Sequence, residues 1–275
     1  MSQVLPISNR ESWPWPPAIR ASALVHVAAL GAGLFVPGAW PWAIGTLVLN
    51  HAVITAAGLT PRSSLLGPNV THLPASAVAR REIAITIDDG PDPDVTPKVL
   101  DLLDAHGQRA TFFCIAERVL EHPELAREII ARGHSIQNHT ARHRHNFSFL
   151  GPRGFAQEIS RAQKVLEEVT GQRPTCFRAP AGLRNPFLAP VLHRMGLSLV
   201  SWTRRGFDTR EGNPTTVLSR LTEGLAAGDI LLLHDGHAAR TSLGQPVILE
   251  VLPKLLARAQ ADGLRAATLP EGLSA

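Results

Sequence analysis

Two adjacent carboxylates, Asp88 and Asp89, close an apolar run in Thr86-Ile87-Asp88-Asp89-Gly90-Pro91-Asp92-Pro93. Like charges side by side repel and Asp is a poor strand former, so the pair calls for a cation. The plain alternative is a turn capping a helix that begins near Thr96, a task that Asp92 or Asp94 can perform. Further along stands Asn138-His139-Thr140-Ala141-Arg142-His143, with His145 close behind. Histidines at i and i+4 share one face of a helical turn, which lets two imidazoles reach one ion. In a chain with 12 His that spacing alone is weak, because surface clusters arise by accident. Joined to a carboxylate from another strand end, it becomes a two-His, one-Asp set with an open position, which suits a hydrolytic metal.

These segments are distant in sequence, and the elements between them must bring them together. Short apolar runs at 83–87, 110–115, 134–137, 175–178, 197–202, 230–233 and 264–268 read as strands. Helical signals cover 96–106, 117–132, 153–170, 186–195, 214–227 and 246–262, several with an early Pro and a Gly just past the end. Strand and helix alternating about seven times imply a parallel sheet, and at this length a closed or nearly closed barrel is the economical arrangement. Chemistry in such barrels gathers at the carboxyl ends of the strands, where both segments fall.

Asp88-Asp89-Gly90, His139-Thr140-x-x-His143, Phe177-Arg178-Ala179-Pro180 and Leu231-Leu232-Leu233-His234-Asp235 resemble, in order and spacing, the successive motifs of the polysaccharide deacetylase family, the NodB-homology or carbohydrate esterase 4 group. The resemblance covers roughly residues 82 to 270. It implies a distorted (β/α)7 barrel and metal-dependent removal of N-acetyl groups from amino sugars. By the same resemblance Asp89, His139 and His143 hold a divalent metal, zinc foremost, with cobalt, manganese or nickel as alternatives. Asp88 is then the general base and His234 the general acid that protonates the departing amine. A backbone N–H in the loop after Arg178 helps bind the oxyanion. Arg178 pins the catalytic carboxylate, Asp208 orients the catalytic histidine, and Leu232 and Trp202 wall the acetyl pocket. Without the resemblance, Asp208 reads equally as a solvated loop residue, and Leu232 and Trp202 as core.

The chain departs from the family pattern at three places. Ala181 stands where an aromatic usually follows Arg-x-Pro, which keeps the backbone N–H but removes a sugar-stacking wall. Arg144 replaces a common Pro, and Ile87 a usual Phe. The run Ala181-Gly182-Leu183-Arg184 is weakly similar to lipid-linked aminoarabinose deformylases. The substrate expectation is therefore an N-acylated amino-sugar glycan, polymeric or lipid-linked. The alternatives are an N-deformylase or other amidase on a polyprenyl-linked sugar, and a catalytically inactive carbohydrate-binding member of the fold.

The remainder of the chain is read from composition. With 275 residues, 44% hydrophobic and 18% charged, it fits one large domain plus an appendage and is too apolar for disorder. The formal charge of +4 carries no basic run with interleaved aromatics, so nucleic acid is not an expected partner. Two cysteines outside any C-x-x-C exclude a disulfide framework and a cysteine-rich metal site. Residues 21–61, a stretch of 41, contain no Asp, Glu, Lys or Arg. As helix they would run about 62 Å, twice a hydrocarbon core of about 30 Å. Pro37, Gly38 and Pro41 break the stretch, and Trp13, Trp15, Trp40 and Trp42 flank the halves as interfacial aromatics do. The organisation expected is a membrane-anchoring segment with two transmembrane helices over 1–60, a linker over 61–81 and the catalytic domain over 82–275. A pair of amphipathic helices packed on the barrel is the alternative. Arg10 and Arg20 before the hairpin and Arg62 after it place the catalytic domain on the cytoplasmic side of a bacterial cytoplasmic membrane, with Glu11 counting little.

Overall fold

The structure is a computed structural model that describes residues 13–274. Arg10 and Glu11, used in the orientation argument, lie outside the described residues. Eight strands form the sheet: β1 (Glu82–Asp88), β2 (Ala110–Cys114), β3 (Ser135–Asn138), β4 (Cys176–Phe177), β5 (Ser198–Leu199), β6 (Arg204–Arg205), β7 (Ile230–His234) and β8 (Arg265–Ala266). Their order is β5-β4-β3-β2-β1-β7-β6, with β8 on β1, and every pairing is parallel. Helices connect successive strands except β5 and β6, which a short loop over 200–203 joins, and the sheet curls into the expected barrel, left open between β5 and β6.

The two-residue period of the strands sorts their side chains. Ile83, Ile85 and Ile87 of β1, Phe112 and Cys114 of β2, and Leu231 and Leu233 of β7 join one core beneath the helices. Ala84, Phe113, Ile230 and Leu232 point the other way, into a second core with Val200 and Trp202. The same alternation sends Thr86, Asp88 and His234 toward the barrel interior at the carboxyl ends of β1 and β7.

Three local readings are corrected. The helix expected over 117–132 is two, Ala116–Glu121 and Pro123–Ala131, because Pro123 disfavours helical backbone at His122, which sits at φ −131°, ψ 59°. β6 was not anticipated, since two arginines do not read as strand, yet Arg204 and Arg205 pair with Leu231 and Leu232. His139 and His143 lie on an irregular loop, with Thr140 at φ 71° and His143 at φ 50°, rather than on a helical turn.

Two long helices precede the barrel, α1 (Pro17–Phe35) and α2 (Trp40–Leu59), both long and apolar enough to cross a membrane and scarcely buried by the rest of the protein. They lie against each other, with Asn50 Nδ2 donating to Ser22 Oγ at 2.9 Å and the rings of His26 and His51 meeting at 3.2 Å. The end of α2 is seated on the barrel. Arg184 donates its N–H to the Gly58 carbonyl at 3.1 Å, and a Cβ at Gly58 would lie 2.2 Å from the Arg184 carbonyl oxygen. Residues 61–81 are laid onto the barrel: Leu66, Leu73 and Ala77 are buried, Val70 bridges to Val200 and His72 to Asp229. That segment lines the open side of the sheet.

Candidate active site

Asp88 and His234 are register partners on the neighbouring strands β1 and β7. Asp88 is held from below by Arg178, whose Nη1 donates to Asp88 Oδ1 at 2.7 Å and to Thr86 Oγ1 at 2.7 Å. The guanidinium is fully buried, and its other donors go to the carbonyls of Val200 at 3.2 Å and Ser201 at 2.8 Å. It lies 4.1 Å from the centre of the Phe113 ring. A buried cation so fully bonded has one geometry, and Asp88 is left with Oδ2 facing His139 Nε2 at 3.9 Å.

Asp89 follows at φ 74°, a left-handed backbone that is strained for Asp and turns its carboxylate away from that of Asp88. Asp89 Oδ1 is buried with no hydrogen-bond partner, 3.3 Å from His139 Nε2 and 3.2 Å from His143 Nε2. His139 Nδ1 sits 2.9 Å from the Arg178 carbonyl, which can only accept, so the proton is on Nδ1 and Nε2 presents a lone pair. Burial, reinforced by the neighbouring His139, pushes His143 down to about 4, which leaves that ring neutral. Burial raises the Asp89 carboxyl, but the surrounding imidazoles, with His237 facing its Oδ2 at 3.2 Å, outweigh burial and hold the group well below the usual carboxylate range. An anionic oxygen with no donor and two bare imidazole nitrogens thus converge, with all three ligand atoms within 4.8 Å of one another. That donor set fits a divalent metal such as zinc.

The loop carrying the histidines is fixed by its own bonds. Asn138 Oδ1 accepts from the Thr140 N–H at 2.9 Å, and Thr140 Oγ1 accepts from the His143 N–H at 2.8 Å. Asp92 accepts from the N–H groups of Asp94 and Val95, each at 3.0 Å, so the turn-forming task falls to it and not to Asp88 or Asp89.

Asp208 is fully buried beside His234, with Oδ1 2.9 Å from the ring Nδ1 and Oδ2 accepting the His234 backbone N–H at 2.7 Å. Burial opposes charge on His234, but Asp208, through its charge and hydrogen bond, with help from Asp88 and Asp89, raises it to about 9. The ring is a cation at neutral pH and carries a proton on each nitrogen.

A cleft of about 320 Å3 opens above these groups, and Asp88, Asp89, His139, His143, Trp202, Leu232, His234 and Ala181 all line it. The structure therefore brings together every residue singled out in the sequence, with Arg178 and Asp208 just behind the lining. Ala181 adopts φ 53°, and Gly182 beside it packs so closely that a Cβ would lie 2.6 Å from Pro61.

Three residues of the site were not anticipated. His237 Nδ1 lies 3.2 Å from Asp89 Oδ2, while its Nε2 lies 3.2 Å from Arg118 Nη2. The guanidinium can only donate, so Nδ1 carries the proton and His237 donates to Asp89. The available signal was a second histidine in His234-Asp235-Gly236-His237. Asp235 is buried against Gly90, where a Cβ would fall 2.4 Å from its carboxylate, and burial raises its carboxyl to about 7 despite hydrogen bonds from Thr96 and Gly236. Gly90 thus leaves space that any side chain would fill. Arg205 also lines the cleft.

A parallel α/β barrel with two imidazoles and a carboxylate converging at its carboxyl face, beside a second carboxylate and a further histidine, is an arrangement suited to hydrolytic metal chemistry. The chain belongs to the polysaccharide deacetylase family, whose profile matches residues 75–200. It is 34% identical over 191 residues to a peptidoglycan-N-acetylglucosamine deacetylase of Bacillus cereus, covering 69% of this chain and 86% of that protein. It is 37% identical over 155 residues to a chitooligosaccharide deacetylase of Azorhizobium caulinodans, covering 56% and 73% respectively. Among solved structures, a family 4 carbohydrate esterase from Streptomyces lividans in complex with acetate superposes with a TM-score of 0.61 at 28% identity, over 68% of this chain and 91% of that one.

Proposed function

We propose that the protein is a membrane-anchored, metal-dependent N-deacetylase acting on an amino sugar of the cell envelope. The observation that carries this reading is the register pairing of Asp88 with His234 beside the cluster of Asp89, His139 and His143. Family membership and the names of its relatives agree with it. A binding module has no use for an acid held protonated at neutral pH, which weighs against an inactive carbohydrate-binding member.

Asp89, His139 and His143 would hold a divalent cation, which when bound would supply Lewis acidity for hydrolysis of the amide. Asp88, fixed by Arg178, takes the proton from the attacking water through its free Oδ2. His234 keeps Nδ1–H on Asp208 and offers the Nε2 proton to the amide nitrogen as the C–N bond breaks, since an unprotonated amine is a poor leaving group. Leu232 and Trp202 form an apolar wall that accommodates the acyl methyl, and a backbone N–H at Ala181 is available to the developing oxyanion. The products are the free amine and acetate. Purified, metal-loaded protein should release acetate from a panel of N-acylated glycans, and Asp88→Asn should retain metal while losing at least a hundred-fold in rate. Release of formate in place of acetate would assign the protein to deformylation; release of neither would overturn the reading.

A further inference from the structure

Beside the catalytic cleft lies a second cavity, a groove of about 660 Å3. Trp202 and Arg205 line both spaces, so the groove adjoins the cleft. Thr60 and Pro61, the first residues after α2, also line it, together with Arg62. If α2 crosses the bilayer, this part of the lining lies near the membrane surface.

The groove is rich in arginine, and its charges are unevenly matched. Arg204 is paired with Asp229 and donates to the carbonyls of Glu223 and Gly224. Arg220 reaches Glu211 at 3.7 Å and donates to the Gly206 carbonyl at 3.3 Å. Glu223 is the acidic residue of the lining. Among the described residues neither Arg62 nor Arg205 has an ion pair: Arg62 donates to the Thr203 carbonyl at 3.0 Å, and Arg205 Nε is buried with no hydrogen-bond partner. Arg205 lies 5.3 Å from the Trp202 ring centre and 4.9 Å from that of Phe207, with Arg220 at 5.6 Å from the same Phe207 ring. Aromatic faces hold guanidinium planes in place but do not satisfy their N–H groups. A buried, unbonded cationic donor is costly unless an anion completes it, and the guanidinium fork matches phosphate oxygens in pairs.

We infer that this groove binds the phosphate or diphosphate that links the amino sugar to a polyprenol, with the lipid tail remaining in the bilayer beside α2 and the sugar entering the cleft past Trp202. The inference rests on the deacetylase reading and names its substrate class.

The test uses the full chain, metal-loaded, in nanodiscs of uncharged phosphatidylcholine. Two substrates are compared: N-acetylglucosamine joined through diphosphate to a short polyprenol, and a phosphate-free N-acetylglucosamine oligomer. In the Arg62→Gln, Arg220→Gln double variant the ratio of kcat/KM for the first over the second should fall at least ten-fold, through KM. An unchanged ratio overturns the inference. Because Arg62 is exposed, Arg62→Glu repeats the test without disturbing the Phe207 packing. Binding of a short polyprenyl diphosphate, measured without turnover, should weaken ten-fold in both variants. If discs containing phosphatidylglycerol abolish that binding, the groove is a headgroup site and the inference fails. Arginine-dependent binding in a protein that deacetylates neither substrate would sustain the groove and sink the deacetylase reading.

Discussion

Asp208 holds His234 twice, one carboxylate oxygen 2.9 Å from the ring Nδ1 and the other bonded to the His234 backbone N–H at 2.7 Å. The same contacts fix where the ring points and keep it charged to about pH 9. A group whose folded value is raised above its ordinary 6.5 stabilises the fold fully below that pH and loses the contribution as pH rises through 9. An acid with this value should sustain kcat up to about pH 9, with an alkaline limb above it. In Asp208→Asn burial acts with less opposition, so the limb should move acidward by at least one unit. A pH–rate profile of wild type and variant checks this, and an unmoved limb would count against Asp208 as the positioning residue of His234.

His139→Ala and His143→Ala should each lose tightly bound metal and nearly all turnover, whereas the exposed His145, two residues on, should tolerate Ala. Metal content by elemental analysis is the readout; full occupancy in His139→Ala would refute the ligand set. His237 touches the far oxygen of Asp89, and its removal should weaken metal affinity by about ten- to a hundred-fold without abolishing it, the usual cost of an outer-shell partner. Competition with a chelator of known affinity measures the difference.

Arg178 is fully buried, and it is the ion-pair partner of Asp88. Replacing it with Met leaves a buried carboxylate without its cation, which should cost about 3–5 kcal/mol in unfolding free energy, larger than most single substitutions. Denaturant unfolding in detergent tests this. In Asp88→Asn, Arg178 keeps an oxygen acceptor, and the loss should be clearly smaller even though activity falls.

Much of this was legible because the barrel interior obeys a simple alternation. Ile83, Ile85 and Ile87 announce a strand whose other face carries Thr86 and Asp88, and a carboxylate on an inward face at a strand end needs a reason. The irregular parts of the site were not legible. His139 and His143 approach through left-handed backbone at Thr140 and His143, which no spacing rule encodes. Gly90 matters for the carboxylate of Asp235 that lies against it, a contact 145 positions away in sequence. Residues 61–81 look like a linker because Pro, Ser and Thr obscure the few buried side chains, Leu66, Leu73 and Ala77, that lay the segment along the open sheet edge. Arg205 reads as a loop charge until Trp202 and Phe207 are seen on either side of it.

The last prediction concerns the membrane and rests on the joint between α2 and the barrel. Two crossings return the chain to its starting side, so the N-terminal residues and the barrel share a compartment if both helices span. Arg10, Arg20 and Arg62 flank the hairpin, and the connection from Pro37 to Ala39 is uncharged, so the orientation we predict from the positive-inside tendency is a cytoplasmic barrel. Both helices suit this reading: they are apolar enough to cross, and the polar groups of Ser22, His26, Asn50 and His51 bond to one another across the pair. Arg184 clasps the end of α2 through the Gly58 and Ser63 carbonyls, which would keep the barrel close to the bilayer if α2 spans it. A cytoplasmic barrel meets lipid-linked precursors and not finished wall polymer. Protease added to intact spheroplasts should leave the barrel uncut, while permeabilised cells should lose it. Gly58→Leu, whose side chain would collide with the Arg184 carbonyl, should loosen the joint and raise KM for a lipid-linked substrate more than for a soluble oligomer. Digestion of the barrel from outside would reject the two-span orientation and make wall polymer the better substrate.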